Sequence, residues 1–74
     1  MKRIGVIGAG SWGTALAQTL AGKGHDVHIY DVNREHLDEM EEKRENVRYL
    51  PGVKLSNHLK IAYSAEDAVL GSDL

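Results

Sequence analysis

The chain contains no cysteine, and this absence excludes disulfide bridges, thiolate metal sites and a cysteine nucleophile. No apolar run is long enough to span a bilayer. The start, Met1-Lys2-Arg3-Ile4, differs from a signal peptide because glycines interrupt the apolar stretch that follows it. The net charge is −2 with acidic and basic residues interspersed, so the basic patch of a nucleic-acid-binding protein is missing. We expect a cytoplasmic protein without a nucleic-acid or membrane partner.

The histidines and the serine of the glycine-rich segment give no sign of metal or nucleophilic chemistry. His25 and His28 flank or lie in a predicted strand, while His36 and His58 are scattered. No two of them form a convincing ligand pair with a carboxylate, so the sequence predicts no metal site. Ser11 lacks the strained elbow of the GxSxG motif, so it is not predicted to be a nucleophile.

What is present is a glycine-rich turn between a short strand and a helix. Residues 2–7 contain Ile4, Val6 and Ile7, the short β-rich run expected of a buried parallel strand, and Gly8-Ala9-Gly10-Ser11-Trp12-Gly13 follows them. In this spacing Gly8 permits a tight turn, Gly10 leaves room for phosphates and Gly13 lets the helix pack closely. The backbone N–H groups and the positive dipole end of the helix would then bind a dinucleotide pyrophosphate.

The helix after this turn connects two predicted strands. It runs from Ser11 towards Gly22-Lys23-Gly24, and the spacing of Leu16 and Leu20 places them on one face. Residues 26–31 alternate and are β-rich, so they form the second predicted strand. The first thirty or so residues therefore make one βαβ unit with a right-handed connection.

Asp31 is the second informative residue. It ends the second predicted strand, 18 positions after Gly13 (31 − 13) and 21 after Gly10 (31 − 10). A carboxylate there can accept hydrogen bonds from the adenosine ribose and would repel the 2′-phosphate of NADP. The alternative is that Asp31 only ends a strand near a turn, but its distance from the glycines favours the ribose. Arg34 is close enough to complicate a strict preference for NAD.

The rest of the chain continues the alternation of helices and strands. The predicted elements are a helix capped by Asn33 and running to Arg44, a loop over residues 45–55, a third strand over 59–63, a short helix after Ser64 that ends at Gly71, and the start of another strand at Asp73-Leu74. Gly5, inside the first strand, predicts the close approach of another element.

These elements predict an α/β fold, the first half of a Rossmann-type doubly wound parallel sheet. Strands one to three are present, and the chain is truncated before strand four. At 74 residues it is shorter than a usual dinucleotide-binding domain. We therefore expect residues 1–74 to be the N-terminal part of an NAD(P)-binding domain, with the substrate domain absent from this chain.

Two segments resemble bacterial-type glycerol-3-phosphate dehydrogenase. Gly8-Ala9-Gly10-Ser11-Trp12-Gly13-Thr14-Ala15-Leu16-Ala17 looks like the opening signature of that family, and its Ser-Trp-Gly-Thr-Ala part is narrower than the general glycine pattern. Residues 44–52 are similar to the family's Asn-x-x-Tyr-Leu-Pro-Gly segment. The resemblance implies an oxidoreductase that interconverts dihydroxyacetone phosphate and sn-glycerol 3-phosphate with NAD or NADP, supplying glycerophospholipid synthesis.

The resemblance also implies site residues. It places Ser11 and Trp12 at the cofactor phosphates and Tyr49 near the nucleotide. The family often has Trp, then Gly or Ala, then Arg after the second strand, whereas this chain has Tyr30-Asp31-Val32. Asp31 and Val32 therefore favour NAD. The family's catalytic lysine and substrate-binding residues belong to later segments, so no catalytic residue is expected here.

Alternatives remain for single residues and for the function. Trp12 could be a packing residue, and Tyr49 could simply anchor its loop. Another dehydrogenase with the same first βαβ unit, such as a ketopantoate reductase or 6-phosphogluconate dehydrogenase relative, is a rival. A non-catalytic nucleotide-sensing module is a rival of another class. The full-length protein could also form a homo-oligomer.

Overall fold

The computed structural model describes residues 1–72 as eight short elements. In chain order these are β1 (Arg3–Ile7), α1 (Ser11–Gly22), β2 (Asp26–Tyr30), α2 (Arg34–Lys43), β3 (Glu45–Asn46), β4 (Leu50–Lys54), β5 (Leu59–Ile61) and α3 (Ala65–Val69). The strand start predicted at Asp73-Leu74 lies outside the described residues. None of the helices in this part of the chain is long and apolar enough to cross a membrane.

Three strands form a parallel sheet in the order β1-β2-β5. Ile4 of β1 pairs with Val27 of β2, and Val27 pairs in turn with Leu59 of β5. β5 is the third strand of this sheet along the chain, so the order is the 3-2-1 half of a doubly wound sheet. The predicted fold class is confirmed.

Helix α1 packs on this sheet through small side chains. Its buried residues are Thr14, Ala17 and Ala21, which recur at helical spacing. Leu16 is 44% exposed, so the face that it shares with Leu20 is not the face that packs fully on the sheet. Small side chains let the helix approach the strands closely, and the larger aliphatic residues of the core come from β1, β2, β5 and α2, together with Leu55 after β4.

Residues 45–55 were predicted to be a loop, and this prediction is wrong. β3 and β4 form a two-stranded antiparallel sheet, with Glu45 opposite Lys54 and a bulge beside Asn46. The hairpin begins where Arg44 adopts a left-handed conformation (φ 51°) and ends α2. Pro51 and Gly52 are typical of turns, and this is why the sequence predicts a loop here. In the structure both residues lie inside β4.

The short helix α3 lies directly against β1. Its first turn is capped by Ser64, whose Oγ accepts the Asp67 N–H at 3.0 Å, as predicted. A Cβ on Gly5 would overlap the Ala68 carbonyl, so glycine at this position lets helix and strand touch. The close approach predicted from Gly5 is confirmed.

Candidate dinucleotide-binding site

The turn between β1 and α1 has the geometry that its three glycines predict. Gly8 has φ +107°, which side chains disfavour, and its N–H donates to the Tyr30 carbonyl at 2.7 Å. Apart from its chain neighbours, no atom of residues 1–72 lies within 4 Å of a Cβ added to Gly10, so the turn is open there. A Cβ on Gly13 would overlap the Gly8 carbonyl, so the third glycine lets the helix begin against the turn itself. The open space at Gly10 fits the close approach of a phosphate.

Helix α1 begins without a side-chain cap. Its N-cap residue is Gly10, with extended backbone, and its first turn carries no acidic residue. Thr14 donates the first helical hydrogen bond, to the Gly10 carbonyl at 3.0 Å. Within the described part of the chain, no group accepts from the amides of Ser11, Trp12 or Gly13. Three N–H groups and the positive dipole end therefore face outward together, an arrangement that binds anions.

Asp31 follows β2 and reaches this turn. Its Oδ2 accepts the Ala9 N–H at 3.1 Å, and its Oδ1 accepts the Asn33 N–H at 3.2 Å. Burial alone would raise the pKa of Asp31, but the bonds from Asn33 and Ala9 and the neighbouring His36 outweigh burial and lower it. The carboxylate is thus ionised at neutral pH, and each oxygen keeps a lone pair for a hydroxyl donor.

The carbonyl of Ala9 points into the protein and accepts two buried hydrogen bonds. His36 Nε2 lies 2.9 Å from it, and Asn46 Nδ2 donates to it at 2.9 Å. Because a carbonyl only accepts, Nε2 of His36 carries the hydrogen. His36 is 2% exposed and Asn46 is fully buried, yet neither residue was singled out from the sequence. The one available signal was the position of Asn46 at the start of the Asn-x-x-Tyr-Leu-Pro-Gly segment.

The remaining predicted cofactor residues lie at exposed positions around the turn. Trp12 is 80% exposed and Val32 is 87% exposed. The interpretation of Trp12 as a packing residue is therefore wrong for the described chain. Tyr49 is 51% exposed, and its ring meets the His36 ring edge-on with centroids 5.4 Å apart. Its N–H donates to Asn46 Oδ1 at 3.1 Å, so Tyr49 anchors its loop and still presents half of its surface.

The structure thus gathers most of the predicted site at one edge of the sheet. The glycine-rich turn and Asp31 meet where β1 and β2 end, which is where doubly wound sheets bind their ligands. Trp12 lies in the first turn of α1 and Val32 directly follows Asp31, while the Tyr49 ring contacts His36, which bonds to the Ala9 carbonyl of the turn. Contacts of these residues with a cofactor stay predictions. Among residues 1–72, no group of three or more His, Asp or Glu side chains could hold a metal ion.

A parallel β-α-β unit with an uncapped helix after a glycine turn defines an α/β domain of the Rossmann, dinucleotide-binding class. A family model described as NAD-dependent glycerol-3-phosphate dehydrogenase N-terminus matches residues 3–74. The chain belongs to this family.

Individual relatives agree with the family. The chain is 54% identical over 71 residues to a glycerol-3-phosphate dehydrogenase (NAD(P)+) from Desulfotalea psychrophila, covering 96% of this chain and 21% of the relative. A Bacillus cereus enzyme of the same name is 53% identical over 70 residues, covering 95% and 20%. The crystal structure of glycerol-3-phosphate dehydrogenase from Coxiella burnetii matches with a TM-score of 0.91 and 39% identity, covering 96% of this chain and 22% of that one. The chain spans about a fifth of the length of the relatives it matches.

Proposed function

We propose that residues 1–74 form the N-terminal part of the NAD(P)-binding domain of a glycerol-3-phosphate dehydrogenase, with the substrate domain outside this chain. The observation that carries the proposal is the uncapped start of α1 beside an ionised Asp31, in a member of this family. The amides of Ser11, Trp12 and Gly13 would hold the pyrophosphate. The ribose hydroxyls would donate to Asp31.

The full-length protein is proposed to interconvert dihydroxyacetone phosphate and sn-glycerol 3-phosphate, in support of glycerophospholipid synthesis. The bound dinucleotide supplies the hydride donor or acceptor for that reaction. Residues of this chain bind and orient the adenosine and pyrophosphate half of the cofactor. Lys43, Lys54 and Lys60 are exposed, so none of them is assigned a catalytic role. The cytoplasmic location and a homo-oligomeric state stay predictions.

We further propose that the cofactor is NAD rather than NADP. A 2′-phosphate would have to lie against the ionised Asp31, and like charges that close repel each other. The nearby cation, Arg34, is engaged elsewhere: its Nε donates to Asp38 Oδ1 at 3.1 Å, and its Cζ lies 4.5 Å from the centre of the Tyr63 ring. Val32, the residue directly after Asp31, is exposed and uncharged, so it offers no partner to a phosphate.

The test is a pair of measurements on the full-length protein that carries this chain. Calorimetric titration should show binding of NADH that is tighter than binding of NADPH. An assay that follows NADH oxidation should show turnover with dihydroxyacetone phosphate and none with ketopantoate or with ribulose 5-phosphate and carbon dioxide, the reverse substrates of 6-phosphogluconate dehydrogenase. Binding of NADH without turnover would favour the nucleotide-sensing module, and the absence of binding would refute the proposal altogether.

A further inference from the structure

We propose that Asn46 is a positioning residue that holds the phosphate-binding turn from the β3–β4 hairpin. The inference rests on the proposed function, since it concerns how the same turn is kept ready for a dinucleotide. Asn46 lies on a different element from every residue that would touch the phosphates. It would act on the cofactor only through the backbone of Ala9.

The hydrogen bonds of Asn46 are complete and leave its orientation in no doubt. Nδ2 donates to the Ala9 carbonyl at 2.9 Å and to Thr14 Oγ1 at 2.7 Å. Oδ1 accepts the Tyr49 N–H at 3.1 Å. The carbonyl of Ala9 can only accept and the Tyr49 amide can only donate, so the nitrogen and the oxygen cannot be exchanged. Both Asn46 and Thr14 are fully buried, so these bonds are shielded from water.

These bonds fix the turn where it would meet the phosphates. Ala9 lies between Gly8 and Gly10, the two residues of the turn with the greatest backbone freedom. Its N–H is held by Asp31, and its carbonyl is held by Asn46. With both groups committed, the peptide planes on either side of Ala9 keep one orientation, and the amides that follow stay directed outward. Such preorganisation increases affinity because the turn need not be ordered when the ligand binds.

The same side chain couples two parts of the proposed site. Through Thr14, Asn46 bonds to the first full turn of α1, and through the Tyr49 amide it bonds to the loop that carries the exposed tyrosine. His36 holds the Ala9 carbonyl from α2 as well, so that carbonyl would not become unsatisfied if Asn46 were lost. The specific contribution of Asn46 is therefore the direction of the carbonyl and its link to the hairpin.

The test is Asn46→Asp in the full-length protein. The substitution keeps the shape of the side chain and its acceptor for Tyr49, but it places a carboxylate oxygen against the Ala9 carbonyl. We expect the Kd and KM for NADH to rise about tenfold or more while kcat at saturating NADH falls less than about threefold. A merely structural role would instead lower the active fraction and the Tm and leave KM unchanged. Asn57→Asp is the matched control, since the same chemical change there falls on an exposed residue and should alter KM less than about twofold.

A second pair of variants keeps the proposal testable if Asn46→Asp does not fold. Thr14→Val removes only the Oγ acceptor of Asn46 and should raise the KM for NADH about threefold, whereas Thr14→Ser retains the hydroxyl and should restore it. A folded Asn46→Asp protein with an unchanged KM, or equal KM values for the two Thr14 variants, would overturn the role of Asn46. Failure of the unmodified protein to bind NADH would instead overturn the proposed function.

Discussion

The three helices within residues 1–72 begin in two different ways. At α2, Asn33 Oδ1 accepts the His36 N–H at 3.1 Å, and at α3, Ser64 Oγ accepts the Asp67 N–H at 3.0 Å. Each of these helices also has an acidic residue in its first turn. Helix α1 has neither a capping side chain nor an acidic first turn, although it is the longest of the three.

Backbone geometry does not explain this difference. All three N-cap residues have extended conformations, and Gly10, with φ −74° and ψ −174°, could carry an ordinary side chain. A capping residue at Gly10 would satisfy an amide and stabilise α1 by about 0.3 kcal/mol relative to glycine. Among the helices of residues 1–72, only α1, which follows the glycine turn, forgoes that stabilisation. The missing cap supports the proposal that a bound anion accepts the hydrogen bonds of the amides at the start of α1.

The largest expected effect comes from giving α1 the cap it lacks. In Gly10→Asp the carboxylate would bond to the amides of α1 and occupy the space that the phosphates would take. We expect the affinity for NADH to fall about a hundredfold or more, with Tm unchanged or slightly raised. Calorimetry and thermal unfolding of the full-length protein measure the two quantities. Tight NADH binding by this variant would show that the open helix start is not the phosphate site.

Two alanine variants distinguish the effect of added charge at Gly10 from the effect of added side-chain volume. Gly10→Ala adds no charge but still fills part of the open volume, so it should weaken NADH binding by about tenfold. Gly22→Ala is the matched control, because a Cβ at Gly22 also meets no atom within 4 Å but lies at the other end of α1. It should leave NADH affinity unaltered. Equal affinities for the two variants would contradict a specific role for Gly10.

A smaller effect is expected at Asp31, which bonds to the segments that precede both α1 and α2. Asp31 bonds to the turn before α1 and to the amide of Asn33, the cap of α2. In the double variant Asp31→Gly, Val32→Arg, a cation replaces the carboxylate. The ratio of kcat/KM for NADPH to that for NADH should rise about tenfold or more. Val32→Arg alone should shift the ratio less, because Asp31 would still repel the 2′-phosphate, and an unchanged ratio in the double variant would refute the assignment.

The sequence predicted the glycine turn at the start of α1 better than it predicted the residues packed around that turn. Gly8, Gly10 and Gly13 each act through the absence of a side chain, and such an effect depends on spacing that can be read directly. The caps of α2 and α3 were also predicted, because Asn33 and Ser64 act on amides only three residues away. Local interactions of this kind leave local patterns.

Long-range contacts leave no such pattern. Asn46 reaches Ala9 across 37 positions, and His36 reaches it across 27. Neither separation belongs to a repeat or a known spacing, so spacing did not distinguish these residues, and the resemblance of the Asn-x-x-Tyr-Leu-Pro-Gly segment was the one signal that pointed to Asn46. The hairpin was missed for a related reason, because pairing between two short strands outweighed the turn preference of Pro51-Gly52.

Removing a cap should affect stability alone. Ser64→Ala deletes the bond to Asp67 and should lower the free energy of unfolding by about 1 kcal/mol. The hydrogen bonds of Ser64 within residues 1–72 go to Asp67 and Ala68 and not to the glycine turn, so NADH affinity should stay within about twofold of the original. Ser64→Asp restores a capping oxygen and should recover the lost stability. A large change in NADH affinity in either variant would mean that the cap of α3 also affects cofactor binding.

The smallest effect concerns the two carboxylates near the ends of β2. Asp26 lies far from the glycine turn: its Oδ1 accepts Lys60 Nζ at 2.8 Å, and His28 Nε2 lies 3.1 Å from its Oδ2. The hydrogen bond from Lys60 and the adjacent His28 ring lower the pKa of Asp26 to about 2. A carboxyl whose pKa is lowered by folding stabilises the protein above its unfolded pKa of about 3.9 and loses that contribution as the pH falls through 2.

Asp26→Asn should therefore reduce Tm at pH 5, and the difference from the unmodified protein should shrink as the pH falls from 4 towards 2. The size of the effect is limited because the ion pair with Lys60 is solvent-exposed. At pH 7 the affinity of Asp26→Asn for NADH should equal that of the unmodified protein, whereas Asp31→Asn should weaken it. If the two variants weakened NADH binding equally, Asp31 would have no special place beside the open helix, because a carboxylate at the opposite end of the strand would do as much.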